Sequence, residues 1–203
     1  MAERIGLFGG SFNPVHVGHL VVAQDVLEQM GLHRVIFLPA AQPPHKMAQP
    51  LAPASVRLEM LRLATADDSR FEVSSDEIDR GGVSYTVDTL RRFRDRYPDA
   101  ALYFLIGGDT LLELHTWREI GAVLELAEIV TVGRPGISLD SIDAKTLKLP
   151  DPWPARLAAN IVAGHRMEIS STDIRNRCVR GWSIRYLVPA AVERYIVSHR
   201  IYF

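Results

Sequence analysis

Five short runs rich in β-branched and aromatic residues recur along the chain, at Ile5 to Phe8, Arg34 to Leu38, Phe71 to Ser74, Leu102 to Ile106 and Ile129 to Val132. Each is too short and too apolar for a surface helix and predicts a buried strand. Between them apolar residues return at helical spacing: Val17, Leu20, Val21, Leu27 and Met30; Val56, Met60 and Leu63; Val87, Leu90 and Phe93; then Leu111, Leu112, Ile120, Leu124 and Leu126. The order β-α-β-α-β-α-β-α-β demands a parallel sheet with helices on both faces, the α/β doubly wound, Rossmann-like architecture. Ligands of such sheets sit outside the carboxyl ends of the strands, near the point where the strand order reverses. Functional residues are therefore expected in the loops after strands one, four and five.

At 203 residues the chain suits one domain, residues 1–203, and 47% hydrophobic with 23% charged residues is an ordinary globular composition. A net charge of −1 gives no attraction for nucleic acid or an anionic membrane over the whole molecule. Residues 165–203 nevertheless hold seven arginines against Glu168, Asp173 and Glu193, while the other 164 residues carry a net −5. That segregation is either a solvated basic face or part of an anion site. After Gly133-Arg134-Pro135-Gly136 the pattern weakens, and Pro150, Pro152 and Pro154 mark a variable connection. Cys178, the single cysteine, predicts a reducing compartment and a small buried apolar residue. With no basic leader and no apolar run near 18 residues, the expectation is a cytoplasmic protein free of membrane and nucleic acid.

The loop after strand one, Gly9-Gly10-Ser11-Phe12-Asn13-Pro14-Val15-His16-Val17-Gly18-His19, carries the most chemistry. Paired glycines let backbone N–H groups approach an anion closely. Asn13 with Pro14 predicts a helix N-cap followed by Pro at the first helical position, and Gly31 a stop after Met30. His16 and His19, three apart, then point to one side of the first turns, and Gly18 opens space between them. Two imidazoles at a helix N-terminus suit phosphate. No Walker-type lysine and no G-x-G-x-x-G fingerprint is present, and no third ligand accompanies the histidines for a metal.

Other segments admit two readings each. Ser170, Ser171 and Thr172 precede a helical pattern; one should cap it, with Arg175 in its first turn. Gly107-Gly108-Asp109 places a carboxylate at the edge of the sheet, as an N-cap or a ribose ligand. Trp117 is a core aromatic or a flat stacking face. Lys46 lies in a Pro-rich loop beside His45, where a solvated lysine is the default.

The run GGSFNPVHVGH resembles the signature of the nucleotidyltransferase superfamily with its H-x-G-H motif, and the fuller string looks like the bacterial nicotinate-nucleotide adenylyltransferases. The likeness extends through Pro43-Pro44-His45-Lys46, Ser84-Tyr85-Thr86, Gly107-Gly108-Asp109, Trp117 and Arg134-Pro135-Gly136 to Ile169-Ser170-Ser171-Thr172-Asp173-Ile174-Arg175, similar to the second superfamily signature. Two departures stand out: Asn13 where Asp is common, and His115 where Pro often stands.

The resemblance implies a nucleotidyltransferase-type sheet with a helical C-terminal part completing an ATP site. It implies transfer of the adenylyl group of ATP to nicotinate mononucleotide, in NAD biosynthesis, with Mg²⁺ held mainly by the ATP phosphates. His16, His19 and Arg175 would be catalytic. Gly9, Gly10, Ser11, Phe12, Gly18, Gly107, Asp109, Ile169, Ser170, Ser171 and Thr172 would bind ATP, and His45, Lys46, Tyr85, Thr86, Trp117 and Arg134 the mononucleotide. Rival readings are a sister enzyme acting on nicotinamide mononucleotide or phosphopantetheine, a class I aminoacyl-tRNA synthetase fragment, and a non-catalytic nucleotide sensor. Short length and no lysine-rich second motif speak against the synthetase, and the presence of both His19 and Arg175 against the sensor.

Overall fold

The computed structural model describes residues 2–44, 51–133, 143–165 and 167–203. His45, Lys46 and Arg134 lie outside the described residues. A six-stranded sheet runs in the order β3-β2-β1-β4-β5-β6, with β1 at Arg4–Gly10, β2 at Arg34–Pro39, β3 at Phe71–Val73, β4 at Ala101–Gly107, β5 at Glu128–Val132 and β6 at Ile161–Val162. β1 pairs parallel with β4, Ile5 opposite Leu102 and Leu7 opposite Phe104, and β4–β5 and β5–β6 are parallel as well. The order reverses between β1 and β4, which neighbour each other in the sheet.

Ten helices are described: α1 Val17–Gln29, α2 Ala54–Thr65, α3 Asp76–Arg80, α4 Thr86–Arg96, α5 Gly108–Glu113, α6 Ile120–Leu126, α7 Ala144–Leu147, α8 Trp153–Ala159, α9 Ser171–Val179 and α10 Ala190–Ser198. Among the described residues no helix is long and apolar enough to cross a membrane. The chain packs as two compact units, each assembled from separated stretches. The first comprises residues 1–9, 22–35 and 85–167, the second residues 10–21, 36–84 and 168–203. The first is centred on Ile5, Leu7, Val26, Leu90, Phe93 and Val130, the second on Phe12, Phe37, Met60, Leu61, Ile174 and Val192, all buried.

Three local expectations need correction. β3 is half-buried along its length, because it is the outermost strand. The proline-punctuated connection holds α7, α8 and β6: Asp143 caps α7 by accepting from the Thr146 amide, and Pro154 sits in the first turn of α8, where a missing N–H costs nothing. Asn13 and Pro14 do not start α1, which begins at Val17. The Asn13 side-chain oxygen instead accepts from the Ala52 amide at 3.0 Å and the Tyr202 hydroxyl at 2.7 Å. Gly31, at φ +57°, does follow the end of α1.

Candidate active site

In the second unit, the loop leaving β1 is anchored from beneath. The Gly10 carbonyl accepts from the Ala40 amide at 2.9 Å, and the Ser11 carbonyl from Arg57 Nη1 at 2.8 Å. Phe12, at φ +44°, turns its ring into the core, edge-on to Phe37 at 5.8 Å and to His19 at 5.0 Å. Phe12 can therefore offer a ligand only its backbone. The glycines have a packing role beside the expected one. A Cβ on Gly10 would lie 3.1 Å from the Phe12 ring and one on Gly9 3.0 Å from the Phe104 ring, so the missing side chains make room for aromatic packing.

His16 immediately precedes α1 and is buried, and its backbone N–H donates to His19 Nδ1 at 3.1 Å. A side chain three residues into the helix thus reaches back to the N-terminal amide, as Glu does in a capping box. As an acceptor, His19 Nδ1 carries no proton, which leaves Nε2 as the donor. The two rings stack with centroids 3.7 Å apart and planes at 29°. Gly18 suits this packing, since a Cβ there would lie 3.1 Å from the His16 ring, which would have to shift by a few tenths of an ångström.

The C-terminal signature meets this loop. Ser170 is the N-cap of α9, accepting from the Asp173 amide at 3.1 Å, and the Ser171 hydroxyl donates to the Pro14 carbonyl at 2.8 Å. Ile169 lies beside Gly18. Arg175 is the fifth residue of α9, one past the first turn where it was expected, because the helix begins at Ser171. Its guanidinium donates to the Asn13 carbonyl at 2.8 Å and to the Thr172 hydroxyl at 3.2 Å. The second unit thus brings together Gly10, Ser11, Phe12, His16, Gly18, His19 and the segment 169–175.

The first unit holds the other described candidates. β4 ends at Gly107, the N-cap of α5, so Asp109 is not the cap; it stands exposed in the first turn. Trp117 is half-buried, edge-on to Phe104 at 5.9 Å and 85°, the ring that also fills the space beside Gly9. Tyr85 is the N-cap of α4 and Thr86 its first residue, so the Thr86 and Val87 amides belong to the helix start, which has no intrahelical acceptors. His115 occupies the 3₁₀ turn that ends at Trp117.

Sequence reasoning missed four residues. Arg118 sets its guanidinium over the Tyr85 ring, 4.7 Å from the centroid. Asn13 is a buried junction rather than a cap. Tyr202 donates to it, and burial pushes that phenol above the usual tyrosine range. Arg57 is 1% exposed, and burial lowers its pKa from the usual arginine value while nearby Tyr202 opposes the shift. Only a charged residue at a core-facing position of α2 could have signalled it. Cys178 is buried, as expected, and burial raises its thiol pKa.

The cytidylyltransferase-like family model matches residues 7–177. A Thermus thermophilus protein named "Probable nicotinate-nucleotide adenylyltransferase" is 46% identical over 199 residues, covering 98% of this chain and 99% of the relative. A Moorella thermoacetica protein of the same name is 42% identical, covering 98% and 91%. Among solved structures, Plasmodium falciparum nicotinic acid mononucleotide adenylyltransferase complexed with NaAD shares the fold, with a TM-score of 0.75 at 17% identity, covering 98% of this chain and 97% of that one. The chain belongs to the cytidylyltransferase-like family, and within it to the nicotinate-nucleotide adenylyltransferases.

Proposed function

We propose that this chain transfers the adenylyl group of ATP to nicotinate mononucleotide, giving nicotinate adenine dinucleotide and pyrophosphate, in NAD biosynthesis. The observation that carries the reading is the stacked His16–His19 pair at the start of α1, held against the Ser170–Arg175 segment. Full-length identity of 46% to a relative of that name supports it.

The mononucleotide phosphate, with a second pKa of about 6, is already ionised at neutral pH and needs no general base. One of its oxygens bonds to the α-phosphorus of ATP as the bond from that phosphorus to the bridging oxygen breaks, and pyrophosphate leaves with the electron pair. Catalysis is then alignment and charge stabilisation. His19 Nε2–H and His16 take the α- and β-phosphates, and Arg175 with Ser170, Ser171, Thr172 and Ile169 the leaving pyrophosphate side. Gly9, Gly10, Ser11, Phe12 and Gly18 supply backbone toward ATP, and Gly107 and Asp109 the adenosine ribose. Thr86 and Tyr85 at the start of α4, with Trp117, take the pyridine ring and its carboxylate, and His45, Lys46 and Arg134 the mononucleotide phosphate.

Magnesium enters as part of the ATP substrate, its charge offsetting that of the phosphates. The described side chains that bond around the loop before α1, those of Asn13, Ser171 and Arg175, and the two imidazoles suit an ion bound chiefly by phosphate oxygens and water. We place the protein in the cytoplasm as a single catalytic domain, 1–203, acting on small molecules rather than on nucleic acid or membrane. Pyrophosphate release from ATP with nicotinate mononucleotide, nicotinamide mononucleotide or phosphopantetheine tests the assignment. Turnover with the acid far above the other two is expected, and turnover only with phosphopantetheine would overturn it.

A further inference from the structure

Residues 168–203 are tied to the loop that leads into α1 by hydrogen bonds from separate elements of the second unit. The Ser171 hydroxyl donates to the Pro14 carbonyl at 2.8 Å, and the Val17 amide to the Leu187 carbonyl at 3.0 Å. Two further bonds converge on Asn13, which is 2% exposed. Arg175 Nη1 donates to its main-chain carbonyl at 2.8 Å, and the Tyr202 hydroxyl to its side-chain oxygen at 2.7 Å. That side-chain oxygen also accepts from the Ala52 amide at 3.0 Å. The backbone that delivers the hydroxyl is strained. α10 ends at Ser198, and the chain beyond it turns through Arg200 at φ +50° and Tyr202 at φ +69°. Left-handed backbone is unfavourable for residues with a side chain and persists where the surrounding structure over-determines it.

We infer that Tyr202 is a positioning residue for the proposed transfer: through the Asn13 side chain it fixes the loop before His16 and the main-chain carbonyl on which Arg175 rests. Two donors, Tyr202 and Ala52, grip the same oxygen from different stretches of chain, so the side chain and the backbone that bears it are held together. Burial keeps the phenol protonated, against the opposing pull of nearby Arg175 and Arg57, so at neutral pH it is a donor. Tyr202 touches no substrate in this account and acts through Asn13. Phenylalanine retains the ring and loses only the O–H. If ring packing were the whole role, Tyr202→Phe would leave turnover unchanged in the folded protein. The two described partners of the Asn13 oxygen are both donors, so a carboxylate accepts from each as well. Asn13→Asp therefore keeps the link, and Asn13→Ala removes it.

The inference rests on the proposed adenylyl transfer, so wild-type pyrophosphate release is measured first; no release rejects that function, and this role falls with it. With wild-type turnover established, kcat at saturating substrates is compared for Tyr202→Phe, Asn13→Ala, Asn13→Asp and the double variant Tyr202→Phe with Asn13→Ala. Each is assayed well below the melting temperature that calorimetry gives it, so that lost stability does not enter kcat. Displacing reacting groups by about 1 Å costs on the order of 100-fold, so a partial displacement should lower kcat about tenfold in Tyr202→Phe and in Asn13→Ala. Asn13→Asp should stay within about threefold of wild type. Because the hydroxyl acts through Asn13, the double variant should lose no more than Asn13→Ala alone. Wild-type kcat in folded Tyr202→Phe overturns the inference. So does a double variant whose loss is the product of the single losses, or an Asn13→Asp loss equal to that of Asn13→Ala. Should one variant fail to fold, the others decide by the same criteria.

Discussion

Replacing Gly18 by alanine should separate stability from activity. Gly18 is the second residue of α1, where alanine is favoured over glycine by up to about 1 kcal/mol. Against that gain, the new methyl would sit 3.1 Å from His16 Nδ1 and 3.2 Å from Cε1, so the ring must move by a few tenths of an ångström. It has little room to do so, being 7% exposed and stacked 3.7 Å from His19. Forcing such a ring off its rotamer costs about 0.5–1.5 kcal/mol, which offsets the helix gain and leaves net stability nearly unchanged. For a chain of this size that means a melting temperature within about 4 °C of wild type. On the role proposed for His16 at the phosphates, activity should not be spared, and the expected loss of kcat/KM is about tenfold or more. Calorimetry beside a pyrophosphate-release assay reads both numbers. A folded variant with wild-type kcat/KM would refute the link between the stacked pair and catalysis.

His19→Ala removes the Nε2–H donor and should lower kcat by about 10² to 10³, with a cooperative melt retained; wild-type turnover would reject its role. Ser170→Ala deletes the α9 cap bond and should cost about 1 kcal/mol in chemical denaturation, whereas Ser170→Gly costs only a few tenths. Equal losses would argue against capping. Tyr202 titrates above its unfolded value of about 10, so its contribution to stability is fully present below that pH and is lost as pH rises toward the folded value. Tyr202→Phe should flatten the alkaline fall in stability relative to wild type, and two parallel pH profiles would contradict the burial of the phenol.

The strands were legible because a strand in the middle of a parallel sheet is apolar on both faces: Val35 to Leu38 and Leu102 to Ile106 are buried throughout. β6 escaped notice because two residues, Ile161 and Val162, make no periodic pattern. The helices after Ser170 and Gly107 followed from local chemistry, a hydroxyl cap in one case and glycines after an apolar run in the other, although Gly107 rather than Asp109 is the cap and Arg175 falls just past the first turn. Asn13 misled because its local grammar, Asn before Pro, matches a helix start, while its partners are set by the fold: Ala52 lies 39 residues away and Tyr202 lies 189 away. The same holds for Arg57, whose carbonyl partners reach back to Ser11. The reach-back bond of His19 was encoded by the three-residue spacing, but its direction, which assigns the Nε2 proton, depends on where α1 begins.

The most direct test of the central claim is kcat/KM of the purified protein for nicotinate mononucleotide and for nicotinamide mononucleotide at saturating Mg-ATP. In the proposed site the amides at the start of α4 would pair with both carboxylate oxygens of the acid but would face the amide nitrogen donor to donor. Each buried donor left unpaired costs about 1–3 kcal/mol, so a preference for the acid on the order of 100-fold is expected. Equal values for the two substrates, or no pyrophosphate released with either, would contradict the account.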